Sequence, residues 1–525
     1  MRQTQSLLQF REVDPAVADH VGVVDVGSNS VRMVIYRVDA HGNCQEVENV
    51  KRVLRLGGRL TPEGDLPAEA MDDLYQVLRQ FRRLGDAWQV SEAIAVATAV
   101  FREARNGAQV LEGAREALGV PIRLLSGQEE AMYGVWGVQE TMPYRDCLVV
   151  DLGGASVELT AIRDSEPQQS VSLPVGALTL TQRFMQAESD GRGYDALAAF
   201  LSNLFASYMW IQGTPGPLVV LGGTARSVAR MRLGRELTNW LGVHHQMIGL
   251  QELQDFTLSA NRMTSATRAE QWGLSIERSE LLMAGLAVFA ALMGTDRDRL
   301  VVCGAGLREG LLFERLATRR GRSIPQRMAA SAAERLIAPL GPEATHRCHV
   351  RDLALALWES LGERVALPPL VWSRDVLEVA ALLRGLGLVI GAHGYETHTF
   401  HWVARVPLAG LSATDRLIAA LVAAYRTPRT LRLQSRPFKA LLQSVPGEWL
   451  EQMGSVLLLA EGLDRTRQQL IRSVRFEGAG RDWTLVCSTR AEDLLEPALL
   501  TEVLERFEKT FKCRVQVTLL YEEGE

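Results

Sequence analysis

Val23-Val24-Asp25-Val26-Gly27-Ser28-Asn29-Ser30-Val31 and Val149-Val150-Asp151-Leu152-Gly153-Gly154-Ala155-Ser156-Val157 decide the fold, because each repeats the other at a constant offset. The aspartate, first glycine, last serine and flanking valines coincide, and the register continues to Arg37 and Arg163. Hairpin tips favour glycine and serine in any protein. An aspartate closing each apolar strand has no such generic cause, so duplication is preferred to chance recurrence.

Working outward, 21–26 reads as a buried strand and 31–38 as a second, joined by a loop too short for a helix. A third strand is expected around 46–56, then a helix over 67–84, a strand at 93–97, a helix over 103–118, a strand at 121–125 and a helix opening at Ser126. After the second hairpin come a strand at 218–221, a turn at Gly222-Gly223-Thr224, a helix over 279–293, a strand at 299–303 and a helix from about Gly306. Hairpins followed by alternating strands and helices indicate an α/β layer architecture. The charged, breaker-rich stretch Arg319-Arg320-Gly321-Arg322 with Pro325 marks a boundary. From Met328 to about Arg436 helical periodicity dominates, as in 374–384 and 413–425. The end of the chain reads strand (473–476), strand (483–489), helix (496–511), strand (514–520). The expected division is 1–140, 141–322, a helical 323–470 and a small α+β module, 471–525.

The 525 residues carry a net charge of −5, which excludes the overall basic field of a nucleic-acid coat or a membrane-surface binder. Any polyanion site must be local. Only four lysines occur (Lys51, Lys439, Lys509 and Lys512), so 53 of the 57 cationic side chains are arginine. The six cysteines lie far apart with no CxxC or Cys/His cluster, which argues against structural zinc and a disulfide scaffold. The segment 1–20 has no uninterrupted apolar stretch of a secretory signal, and no later run is long enough without charge to span a bilayer. A cytoplasmic location is the expectation.

Each repeated tip offers what a phosphate needs: glycines for close backbone approach, consecutive N–H groups that can form an anion nest, and serine or asparagine donors. The aspartates repel phosphate. Their natural task is to hold a hard divalent cation, although a lone aspartate at such a place is equally a turn cap. Ser126 is placed to cap a helix whose first turn carries Glu129 and Glu130, and acids are favoured there by the helix dipole alone.

Seven ordered blocks between Val21 and Leu316 together resemble the exopolyphosphatase and guanosine pentaphosphate phosphohydrolase family, of the actin, Hsp70 and sugar kinase superfamily. They are 25–30, 97–106, Ser126-Gly-Gln-Glu-Glu-Ala131, Asp151 to Glu158, Leu173-Pro-Val-Gly176, Gly222-Gly-Thr224 and Gly306-Leu-Arg-Glu-Gly310. The resemblance implies two duplicated actin-like (ribonuclease H-like) lobes with a cleft. It implies Glu130 as the base that orients and deprotonates water, with Asp151 and Glu158 beside it. Asp25, Asp151 and Glu158 would hold Mg2+ or another divalent cation. Ser28, Asn29, Ser30, Arg102, Gly153, Gly154, Ala155, Ser156, Gly223 and Thr224 would line the phosphate path. Inorganic polyphosphate is the expected substrate. Guanosine pentaphosphate or tetraphosphate, transfer to ADP, and a non-catalytic polyphosphate or alarmone sensor are the rivals. The expected assembly is a homodimer.

Long members of that family continue into an HD-type helical domain with a metal-binding His-Asp pair. Here Arg384-Gly385 stands at the corresponding place, followed by His393, His398 and His401. The expectation is therefore an HD-like scaffold without a second metal centre, its histidines engaged in local hydrogen bonds, that extends the substrate channel or forms the dimer.

Overall fold

A computed structural model of the chain describes residues 19–40, 42–185, 192–294, 297–320, 327–362, 364–489 and 497–521. The segment 1–18, most of the boundary expected at 319–325 and the start of the last helix at 496 lie outside the described residues. Two compact units are present: residues 1–239 with 243–324, and residues 240–242 with 325–525.

The first unit contains two sheets. Strands β1 (Asp19–Val26), β2 (Ser30–Val38), β3 (Cys44–Val53), β4 (Glu92–Ala97) and β5 (Ile122–Leu124) form one, in the order β3-β2-β1-β4-β5. Strands β6 (Cys147–Leu152), β7 (Val157–Arg163), β8 (Glu166–Leu173), β9 (Leu218–Leu221), β10 (Gln246–Gly249) and β11 (Arg299–Val302) form the other, in the order β10-β11-β9-β6-β7-β8. In both, two antiparallel hairpin pairings are followed by parallel pairings, β1 with β4 and then β4 with β5, or β6 with β9 and then β9 with β11. The duplication read from the loops therefore extends to whole sheets, and β10 is an antiparallel addition at one edge.

Twelve helices accompany these strands among the described residues: α1 (Ala68–Ala87), α2 (Ala99–Glu103), α3 (Gly107–Leu118), α4 (Gly127–Gln139), α5 (Ala177–Phe184), α6 (Arg192–Ala206), α7 (Met209–Gln212), α8 (Gly222–Leu241), α9 (Leu250–Asn261), α10 (Ser265–Trp272), α11 (Ile276–Met293) and α12 (Leu307–Arg320). The central strand β1 shows why helices must cover both faces of its sheet. Val24 and Val26 join a core with Leu74, Leu78 and Phe81 of α1 and Val110 of α3. Val21 and Val23 join another with Tyr133 of α4 and Leu311, Leu312 and Leu316 of α12. Residues two apart on a strand share a face, so one run of valines feeds two cores. Helix α12 packs on the first sheet although it lies at the end of the stretch 141–322.

Two local expectations fail. The helix expected over 103–118 is broken, since α2 ends at Glu103 and Asn106 turns back to bond the backbone of Leu66 through both its amide groups. That side-chain competition with the helix ladder ends α2 early. The turn expected at Gly222-Gly223-Thr224 is the first turn of α8. Gly222 makes the sharp entry with φ 97°, where a Cβ would strike the Leu152 carbonyl oxygen.

The second unit is mainly helical from 328 to 463 and ends in a three-stranded sheet, β12 (Ile471–Ala479), β13 (Asp482–Thr489) and β14 (Arg514–Tyr521), with a helix over Pro497–Phe511. No described helix is long and apolar enough to cross a membrane.

Candidate active site

The two glycine-serine loops close in the same way. Gly27 N–H donates to the Ser30 carbonyl at 3.1 Å, and Gly153 N–H donates to the Ser156 carbonyl at 3.0 Å. Neighbouring segments then take up the loop carbonyls. Asn29 O accepts from the amides of Leu54 and Arg55, and Ser28 O from Gly57. Gly153 O accepts from Ala177 and Gly154 O from Leu178, both at 2.9 Å, so the start of α5 braces the second loop. Among the described residues the amides of Ser28, Asn29, Gly154 and Ala155 meet no protein acceptor. Both tips therefore present backbone N–H groups for an anion. Gly176 is indispensable to the brace: a Cβ there would lie 2.3 Å from the Gly154 carbonyl carbon and oxygen.

The register explains why similar loops carry different chemistry. Asp25 faces Arg32 across β1 and β2, whereas Asp151 faces Glu158 across β6 and β7. Burial raises the pKa of Asp25, and Arg308 and Arg32 oppose that rise. Arg308 donates to Asp25 at 3.1 Å. The first aspartate, expected with the metal ligands, is thus held by a guanidinium. Glu158 is 7% exposed, and its pKa is pushed up to about 8 by burial, then by Asp151 and Glu130, against hydrogen bonds from Ser156 and Ser172. The Ser172 bond measures 2.9 Å.

Like charges directly opposite on antiparallel strands destabilise the pair. A hard cation relieves exactly that repulsion, so Asp151 and Glu158 fit Mg2+, which is commonly held by one or two carboxylates together with water and substrate phosphates. Among the described residues no three of His, Cys, Asp or Glu form a ready-made metal cage.

Glu130 and Glu129 divide their work at the start of α4. Ser126 O accepts the Glu130 amide, the Ser126 hydroxyl accepts the Glu129 amide, and the Glu129 carboxylate reaches back to the Ser126 amide at 2.7 Å, a complete capping box. Its capping partners hold the Glu129 carboxyl below its ordinary pKa. Glu130 is released from that task. It shares a face with Gly134, one turn on, where even a Cβ would lie only 3.7 Å from the Asp151 carboxylate. Burial pushes its pKa up to about 7, with Asp151 and Asp25 adding to the rise and Arg102 opposing it. Arg102 donates to Glu130 Oε2 at 2.8 Å and also to the Leu125 carbonyl. The arginine expected to touch phosphate is therefore also the group that orients Glu130.

Gly223 sits at the start of α8, its carbonyl accepting from Arg278 at 2.9 Å. Thr224 is placed differently from expectation. It is 7% exposed and its side chain packs on Gly285 of α11, where any Cβ would collide with it.

A cationic set was missed from sequence. Burial lowers the pKa of Arg226, and Arg308 and Arg32 add to that. Arg278 is lowered to about 10 by burial, then by Arg230, Arg226 and Arg32. Lys51 is lowered by burial, then by Arg278, Arg32 and Arg226. These side chains repel one another, which is the electrostatic signature of a polyanion site. One signal was available: Arg226 and Arg230 stand four apart immediately after the Gly-Gly-Thr turn, on one helix face.

Comparison with known proteins agrees with this geometry. The model of the Ppx/GppA phosphatase family matches residues 34–319, just over half of the chain. A Ppx/GppA family member from Aquifex aeolicus is similar in structure, with a TM-score of 0.53 and 24% identity over 58% of this chain and 100% of that one. An exopolyphosphatase from Cytophaga hutchinsonii gives a TM-score of 0.51 and 22% identity over 57% of this chain and 98% of the other. Both share the pair of actin-like lobes with the first unit. Two matching loops, a helix-borne carboxylate that falls between them in the chain and a family match across the lobes lead to one conclusion: the chain belongs to the Ppx/GppA phosphatase family.

Proposed function

We propose that this protein is an exopolyphosphatase that hydrolyses the terminal phosphate of inorganic polyphosphate. The observation that carries the reading is Glu130, a carboxylate raised to about 7 and held by Arg102 beside two phosphate-type loops. A base whose pKa lies near neutrality accepts a proton effectively at working pH. The terminal phosphoryl group is gripped by the amides of Ser28, Asn29, Gly154 and Ala155. Glu130 holds a water in line with the bond to the next phosphate and takes its proton as the oxygen attacks phosphorus. The leaving end is a phosphate chain, whose charge Arg32, Arg226, Arg278 and Lys51 offset. Phosphoryl transfer needs little more than such positioning and charge neutralisation. Mg2+ bound by Asp151 and Glu158 would neutralise the non-bridging oxygens.

The cationic set favours a long polyanion, because it continues beyond the loops to Lys51 and Arg278. The test is phosphate release, with Mg2+, from long-chain polyphosphate, short-chain polyphosphate and guanosine pentaphosphate in parallel, with and without ADP. Polyphosphate should give the largest kcat/KM, with no ATP formed from ADP. Release from guanosine pentaphosphate alone would overturn the substrate, and release from none would overturn the hydrolase.

A further inference from the structure

Arg384-Gly385, the dipeptide standing where the family resemblance places a His-Asp pair, lines a pocket in the helical unit with Glu343, His346, Arg347, Glu461 and Arg467. Three arginines converge there, and two are committed. Arg384 donates to Glu461 at 2.8 Å and to the carbonyls of Ala423 and Tyr425 at 2.9 and 3.2 Å. Arg467 is paired with Glu343. His346 is engaged by Asp464 at 2.7 Å.

Arg347 differs. It is 5% exposed, and its Nε and Nη1 have no hydrogen-bond partner. Glu461, the acid that acts on it most strongly, is the one already bonded to Arg384. A buried guanidinium with unpaired N–H groups is costly, and proteins rarely keep one unless something pairs with it. The planar fork of arginine matches the oxygens of a phosphate-type group two at a time.

We propose that this pocket binds a tetrahedral oxyanion of the phosphate class, with Arg347 as its principal ligand. The pocket is lined by residues of the second unit alone, and the proposal does not depend on the reading of the first unit's substrate. Its occupant is either free phosphate or the end of a phosphate chain.

The test uses the full-length protein and two variants, Arg347→Met and Arg347→Lys, with equilibrium dialysis of labelled orthophosphate and of polyphosphate and with thermal melts. Wild type should bind one more equivalent than Arg347→Met. Arg347→Lys, which keeps the charge and loses the fork, should bind at that site at least about ten-fold more weakly. In phosphate-free buffer Arg347→Met should melt no lower than wild type, and phosphate should raise its midpoint less. If Arg347→Met does not fold, the Lys variant carries the comparison alone. Dependence on Arg347 with polyphosphate only assigns the pocket to a chain end, and dependence with both ligands assigns it to free phosphate. Equal stoichiometry and equal stabilisation of wild type and variants by both ligands would overturn the proposal.

Discussion

Replacing Gly176 with alanine should dismantle the second phosphate loop while leaving its own residues untouched. The new methyl would sit 2.3 Å from the Gly154 carbonyl carbon and oxygen and 2.5 Å from the Ala155 amide nitrogen, all backbone atoms that cannot rotate away. Either the start of α5 or the loop must withdraw by roughly 1 Å to reach an ordinary contact. Withdrawal breaks two 2.9 Å bonds, Ala177 to Gly153 and Leu178 to Gly154, each contributing about 1 kcal/mol. Overpacking adds roughly 1–3 kcal/mol. The expected destabilisation of the first unit is therefore about 3–5 kcal/mol. A misplacement of about 1 Å in a phosphate-gripping loop can cost about 100-fold in rate. The assay is urea unfolding together with kcat and KM for phosphate release. Gly58→Ala is the control, because a Cβ there meets nothing within 4 Å. It should behave as wild type. Full activity and unchanged unfolding of Gly176→Ala would refute the bracing argument.

Four further outcomes are expected. The rate should rise about ten-fold per pH unit below about 7 and level off above it, because Glu130 is protonated below its raised pKa and only the ionised form takes a proton; a kcat profile flat from pH 5 to 8 would contradict this. Arg102→Gln removes a group that lowers that pKa, so the acidic limb should move to higher pH, whereas loss of a mere phosphate contact would raise KM without moving the limb. Mg2+ should raise the melting temperature of the wild type, and most of that rise should vanish in Glu158→Gln, which keeps its serine partners but cannot hold a cation. Arg226→Gln with Arg278→Gln should raise KM for long polyphosphate at least about ten-fold and flatten its salt dependence, read by steady-state kinetics at two ionic strengths.

Much of the fold was legible because the strand signals are strong: valine runs ended by Asp-x-Gly appear twice, and a repeated pattern implies a repeated sheet. The division of roles between Asp25 and Asp151 was half visible. Seven residues on in each hairpin stand Arg32 and Glu158, and the cross-strand register sets opposite charges facing one another on one side and like charges on the other. Arg308 could not be placed on Asp25 by any local pattern, since 283 residues separate them and only the return of α12 to the first sheet brings them together. The packing of the Thr224 side chain on Gly285 could not be seen in the string, because the hollow that receives it is made by a helix some sixty residues on. Arg347 lies within the helical stretch that begins at Met328, and its unpaired Nε and Nη1 are a property of packing alone.

The central claim is that Glu130 is the base. Its most direct test is single-turnover phosphate release from polyphosphate by Glu130→Gln, with Mg2+ at pH 8, beside a measurement of polyphosphate binding. The account predicts a fall in rate of about 100- to 10,000-fold with binding retained within a few-fold. Release at the wild-type rate would contradict it.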